Sequence, residues 1–202
     1  MRMTVAALAL LSALPACAIA QTSATVSNRG NGNMVLVDQS AANAAAVDME
    51  QIGDGNALAL TQSGSSQSAR LTIHGSTNDI DLRQYGQGTN SLDLSLTGEG
   101  NSHRAEQYAD AGGSNAMLLD QSGHGNFSSL NQTAYAGTND MTLRQYGNDN
   151  SAALMQNGDD NRLALTQNGD GNAAALSQTG NGLGLALSQT GGAAITITQT
   201  AP

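Results

Sequence analysis

The chain has 202 residues, 2% of them aromatic and 11% charged, with 24 Gly, 19 Asn, 16 Gln and only 2 Pro. Large aromatics usually dominate core burial, and disordered chains are usually rich in charge and Pro, so both an ordinary packed core and ordinary disorder are disfavoured. The net charge is −9 and all seven basic residues are Arg, which argues against a nucleic-acid partner and leaves prion-like sequence or stacked β repeats.

In chain order, the first element is a secretory signal over residues 1–20. Arg2 supplies the positive start and Val5 to Leu14 an apolar run too short to span a bilayer. Ala18-Ile19-Ala20 is an A-x-A cleavage site, so the exported chain is expected to begin at Gln21 with 6 basic and 16 acidic residues. Cys17 would be lost with the signal, leaving no thiol chemistry. Leu14-Pro15-Ala16-Cys17 weakly resembles a lipoprotein box, but Pro15 fits that pattern poorly and Ala20 offers the better site.

From Asn33 onward one unit recurs, N-x-Φ-x-Φ-x-Q-x-G-x-x, with Φ usually aliphatic. Its amides lie six residues apart at Asn33/Gln39, Asn56/Gln62, Asn78/Gln84, Asn101/Gln107, Asn115/Gln121, Asn126/Gln132, Asn139/Gln145, Asn150/Gln156, Asn161/Gln167 and Asn172/Gln178. Fifteen such segments are expected between Asn33 and Gln199. Period two puts the amides and Φ residues on one face, as in Asn78-Ile80-Leu82-Gln84, and Asp79-Asp81-Arg83 on the other. A 3.6-residue period would scramble that sorting, so each segment is read as a strand.

The gaps between segments define the architecture. Gaps such as Ile52–Gly55 and Ser122–Gly125 hold four residues, whereas the alternate gaps grow to five at Ser40–Ala44, six at Thr133–Thr138 and seven at Tyr108–Ser114. Insertions therefore fall on one edge, as expected for a two-strand coil. The expected fold is an all-β strand-arc-strand solenoid with 21 to 25 residues per turn and about seven and a half turns.

An inward amide is costly unless hydrogen-bonded, and identical amides stacked at the ~4.8 Å strand spacing can bond to one another along the axis. The expected structural site is thus the pair of ladders on one sheet, Asn33, Asn56, Asn78, Asn101, Asn126, Asn150 and Asn172 with Gln39, Gln62, Gln84, Gln107, Gln132, Gln156, Gln178 and Gln199. Asn161 and Gln167 contribute on the other sheet, where Ala45, Gln67 and Leu183 replace Asn, and the stacked pair Ile73 and Leu96 replaces Gln. The β-branched, uncharged final strand, with Ile195, Ile197 and Gln199, is the expected polymerising edge.

Other chemistry has little support. His74 and His124 are placed in arcs two coils apart and His103 at an inward position, a scatter that converges on no metal. Asp54, Asp159, Asp160 and Asp170 read as solvated turn acids, and no phosphate-loop motif occurs. No catalytic residue, metal or cofactor is expected.

The repeated unit, with its terminal Gln kept in thirteen of fifteen segments and Gln-Tyr-Gly at Gln84-Tyr85-Gly86 and Gln145-Tyr146-Gly147, resembles the curlin repeat of bacterial curli amyloid fibres. The resemblance covers Asn28 to Gln199, and residues 28–202 are taken as the repeat solenoid. It implies a subunit of an extracellular amyloid fibre on the cell surface, serving biofilm matrix and adhesion. Implied partners are other copies of the chain, other curlin subunits, an outer-membrane secretion channel and periplasmic chaperones. It also implies that residues 21–27 form a short secretion-targeting segment. A major fibre subunit is the favoured reading. The alternatives are a minor nucleator at the cell surface and a non-polymerising β-solenoid that binds a ligand or acts as an adhesin.

Overall fold

A computed structural model describes residues 22–201, so the expected signal peptide lies outside the described residues. It holds sixteen strands and no helix. One sheet contains β1 (Ser23–Arg29), β3 (Ala46–Ile52), β5 (Gln67–Ser76), β7 (Thr89–Glu99), β9 (Ser114–Ser122), β11 (Thr138–Tyr146), β13 (Asn161–Asn168) and β15 (Gly184–Thr190). The other contains β2 (Met34–Asn43), β4 (Ala57–Ser65), β6 (Asp79–Gly86), β8 (Ser102–Ala109), β10 (Phe127–Ala134), β12 (Ser151–Asn157), β14 (Ala173–Thr179) and β16 (Ala194–Thr200). We call these the odd and even sheets. The chain alternates between them and every neighbouring pair is parallel, so two strands make one coil of a β-solenoid and sixteen make eight coils.

The alternation in the sequence becomes the burial pattern. In β3, Val47, Met49 and Gln51 are buried while Asp48 and Glu50 face solvent. The central inward positions of the two sheets meet in a thin aliphatic layer that includes Leu60, Leu71, Leu82, Leu94, Met141, Leu143, Leu163 and Leu165. Stacking is in register, with Leu60 beside Leu82 and Leu71 beside Leu94. One strand alone could not bury such a face; repetition does it.

The arcs explain the glycines. A Cβ on Gly53 (φ +132°) would overlap the carbonyl oxygen of Gly75 in the next coil, so this close approach admits only glycine. The insertion at Ser40–Ala44 is absorbed as a register shift in β2 between Asp38 and Ala41 against β4.

One count differs from the sequence expectation. The structure has a sixteenth strand, β1, and therefore eight coils rather than seven and a half. β1 lies largely on the segment read as a targeting stretch and keeps neither the Asn nor the Gln of the unit at its place. Thr22 stands where Asn is usual and Asn28 where Gln is usual, but Ala24, Val26 and Asn28 still stack over Val47, Met49 and Gln51.

Candidate functional site: amide ladders and two open ends

On the even sheet the glutamine ladder is continuous. Nε2 of Gln39 donates to Oε1 of Gln62, and the relay continues through Gln84, Gln107, Gln132, Gln156 and Gln178 to Gln199, with every bond between 2.7 and 3.0 Å. The second Nε2 hydrogen crosses to the odd sheet, from Gln84 to the Ser68 carbonyl at 2.8 Å and from Gln107 to that of Ser91 at 3.0 Å. Each glutamine thus ties coil to coil and sheet to sheet.

The asparagine ladder does the same work at the other end of the strands. Oδ1 of Asn33, Asn56, Asn78, Asn101, Asn126 and Asn150 accepts the backbone N–H of the next Asn in the series, ending at Asn172, at 2.9 to 3.0 Å. Nδ2 of Asn56, Asn78, Asn101 and Asn126 also donates to a glycine carbonyl in the neighbouring arc, at 2.8 to 3.0 Å. Nδ2 of Asn150 is buried without a partner. Apart from Asn33 at the open end these side chains are almost wholly buried, and bonding along the stack is what makes the burial tolerable.

The odd sheet is less regular. Gln145, Gln167 and Gln189 form a short ladder with bonds of 2.8 and 2.9 Å. Asn161 Oδ1 accepts the Leu183 N–H at 2.9 Å, and Gln67 substitutes for Asn by accepting from Asn90 Nδ2 at 2.8 Å. Ile73 and Leu96 are stacked neighbours, between Gln51 on one side and Gln121 on the other. Both polar side-chain atoms of Gln51 and of Gln121 are buried with no hydrogen-bond partner. The apolar pair satisfies itself and orphans the amides that flank it.

A third set of contacts was missed in the sequence. Asp159 Oδ1 accepts the N–H groups of Tyr135, Ala136 and Gly137 at 2.7, 3.0 and 3.0 Å. Burial raises its pKa, but these three bonds outweigh that effect and hold the carboxyl below its usual range. Asp54 caps Asn31 N–H at 2.6 Å, Asp160 caps Thr138 N–H at 3.0 Å and Asp170 caps Asn148 N–H at 2.7 Å. Asp54, Asp160 and Asp170 do face solvent, and these acids are coil-to-coil clasps as well. Their signal was the Gly-Asx dipeptide, at Gly53-Asp54, Gly158-Asp159 and Gly169-Asp170, with Asn taking the same place at Gly147-Asn148 and Gly180-Asn181.

Outward charges of opposite sign also align between coils. Arg70 stacks between Asp48 and Asp93, Arg83 beside Glu106, Arg104 beside Asp81, Arg144 beside Asp120 and Arg162 beside Asp140. The Arg162–Asp140 contact is 3.7 Å. Tyr85 donates to Glu106 at 2.6 Å, and that bond, with burial, pushes its pKa up to about 12. Tyr146 donates likewise to Asp120 at 2.6 Å, and its pKa is raised for the same reasons.

The histidines lie apart. His74 falls within β5, aligned with Ile52 and Thr97, rather than in an arc; His124 is in an arc. His103 is inward and buried, with Nδ1 2.7 Å from Ser128 Oγ and Nε2 unpartnered, and burial lowers its pKa to about 4. Among the described residues no three His, Cys, Asp or Glu side chains are grouped to hold a metal ion.

A family model described as the curlin associated repeat matches residues 53–86, 138–169 and 158–191. The matched segments are similar to curlin repeats. The first match spans β4 to β6 and the other two together span β11 to β15. Comparison with curated proteins and with solved structures returns no match.

The ends of the solenoid differ from its middle. In β14 the inward Ala174, Leu176 and Gln178 are buried, whereas in β16 the equivalent Ile195, Ile197 and Gln199 are half-buried. At the other end Val35 and Val37 of β2 are likewise only partly covered, and Met34 and Leu36 are exposed. β1 and β2, and β15 and β16, each pair on one side only.

Proposed function

We propose that this chain is a structural subunit of an extracellular curli-type amyloid fibre, growing by head-to-tail stacking of its open coil ends. The observation that carries the reading is the unfinished core at both ends: Ile195 and Ile197 at one, Val35 and Val37 at the other, each half-buried where the next coil inward is closed. Stacking β16 of one copy on β2 of the next sets Ile195 over Val35, Ile197 over Val37 and Gln199 over Gln39. Gln199 Nε2 would then donate to Gln39 Oε1, continuing the direction that the ladder keeps inside the chain. Exposed strand edges template such pairing, and an end-to-end contact that does not close gives an open filament.

Curlin repeats belong to cell-surface fibre subunits, and this supports a role in biofilm matrix and surface adhesion as a major-type subunit. Export would run through an outer-membrane secretion channel with periplasmic chaperones, with residues 1–20 as the signal. The test is to incubate residues 21–202 alone. Fibres giving cross-β reflections near ~4.8 Å and ~10 Å are expected. A solution that stays monomeric refutes the proposal.

A further inference from the structure

We infer that β1 is the seat for β15 of the preceding copy, and that by making the strand count even it sets every copy of a fibre in one orientation about the axis. The inference rests on the head-to-tail reading above and says which surfaces meet.

The described residues hold sixteen strands, and the last, β16, lies in the even sheet with β2. The spiral must continue in the odd sheet. β1 of the next copy occupies that place, because it is the end strand of the odd sheet and pairs with β3 through seven residues, Ser23↔Ala46 to Arg29↔Ile52. Like then stacks on like: β15 on β1, β16 on β2. The inward register carries through the whole odd sheet, so Leu185, Leu187 and Gln189 of one copy come over Ala24, Val26 and Asn28 of the next. The large leucines meet the small Ala24 and the partly buried Val26.

Without β1 the count is fifteen. The next copy would begin with β2, and β2 would have to take its place in the odd sheet, on β15. That copy would be turned by half a turn. Its short arcs from odd to even strands, which clasp one another through bonds such as Asn31 N–H to Asp54 and Asn148 N–H to Asp170, would fall on the edge of the long, irregular arcs, where Asp159 makes a separate set of clasps. Its Gln39 would leave the Gln199 ladder. A strand that departs from the repeat at both of its amide positions therefore has a definite task. It keeps the arc clasps and the glutamine ladder of successive copies in line.

Fibres of residues 21–202 can be examined by cryo-electron microscopy with helical reconstruction. A rise of about 38 Å per copy is expected, eight strand spacings of ~4.8 Å, with neighbouring copies showing the same sheet on the same side. Successive copies related by half a turn overturn the inference while leaving head-to-tail growth intact. A wild-type chain that forms no fibre overturns both. As a second arm, Val26→Asp places a carboxylate in the joint and is expected to slow elongation by about tenfold or more, whereas Thr25→Asp on the outer face changes it less than about twofold. Both monomers should keep their far-UV circular dichroism. Equal elongation of the two variants also overturns the inference.

Discussion

The same substitution at two buried glutamines should have opposite effects. Gln156 is fully buried, accepts from Gln132 Nε2 at 2.9 Å and donates to Gln178 Oε1 at 3.0 Å and the Asp140 carbonyl at 3.2 Å. Gln156→Leu keeps the volume but orphans one Gln132 hydrogen and the Gln178 oxygen. Gln132 retains its bond to Ala116 O at 3.0 Å. Two orphaned buried amide atoms cost about 2–4 kcal/mol together. Gln51 is as deeply buried, yet neither of its amide atoms has a partner, because Ile73 lies on one side and Asn28 on the other. Gln51→Leu removes an unpaid desolvation penalty and should stabilise by about 1–3 kcal/mol. The assay is urea unfolding of residues 21–202 at a concentration that keeps them monomeric, followed by far-UV circular dichroism and compared at constant m. A shift of both variants in the same direction refutes the assignment of stability to bonded amides rather than to inward packing alone.

Two further outcomes follow from single positions. Burial lowers the pKa of His103 from 6.5 to about 4, so the folded chain binds its proton more weakly than the unfolded chain does. Its contribution is complete above pH 6.5 and is lost as the pH falls through that window, by about 3 kcal/mol in all; His103→Leu should flatten the stability profile there, and an unchanged slope refutes this. Thr77 holds φ +55° at the arc position where Gly55 and Gly100 hold φ +66° and +65°. Thr77→Gly should raise stability by about 0.5–1 kcal/mol after the entropy cost of glycine, read as a higher urea midpoint, whereas a lower midpoint argues that the Thr77 hydroxyl bond to Ser76 O at 2.7 Å matters more than the strain.

The fold was legible because its period is carried by residues that do nothing else. Asn78, Ile80, Leu82 and Gln84 spell both the strand and its inward face, and the four-residue gaps against variable ones distinguish the two edges. β1 was not legible, since Thr22 and Asn28 replace the amides and the remaining signal, Ala24 and Val26, is small. Its pairing is decided by the free edge of β3, a tertiary fact. The clasps of Asp54, Asp159 and Asp170 were hidden for a related reason. An acid in a turn is ordinarily solvated, and only the stacking of arcs brings the N–H groups of the adjacent coil within reach.

The two sheets also divide the task of fixing register. Aliphatic contacts such as Leu71 on Leu94 are non-directional and tolerate a slip of one coil, because the next coil offers another leucine. Amides tolerate less, since a strand that slips along its own axis buries them unpaired. The even sheet keeps its glutamine relay from Gln39 to Gln199 without a break, while the odd sheet loses its own at Ile73 and Leu96 and again between Gln121 and Gln145. Register in the first coils of the odd sheet must then come from elsewhere. Between β5 and β7 the Asn90–Gln67 bond supplies part of it, and Arg70 adds to it from outside, aligned between Asp48 and Asp93 across the coils whose glutamine ladder is interrupted. Opposite charges set side by side across strands favour this alignment, and any slip that brings two acids together is penalised. The gap in the inner glutamine ladder and the alternation of charge on the outer face thus fall on the same strands, β3, β5 and β7, so that charge alignment outside favours register where the inner ladder is interrupted.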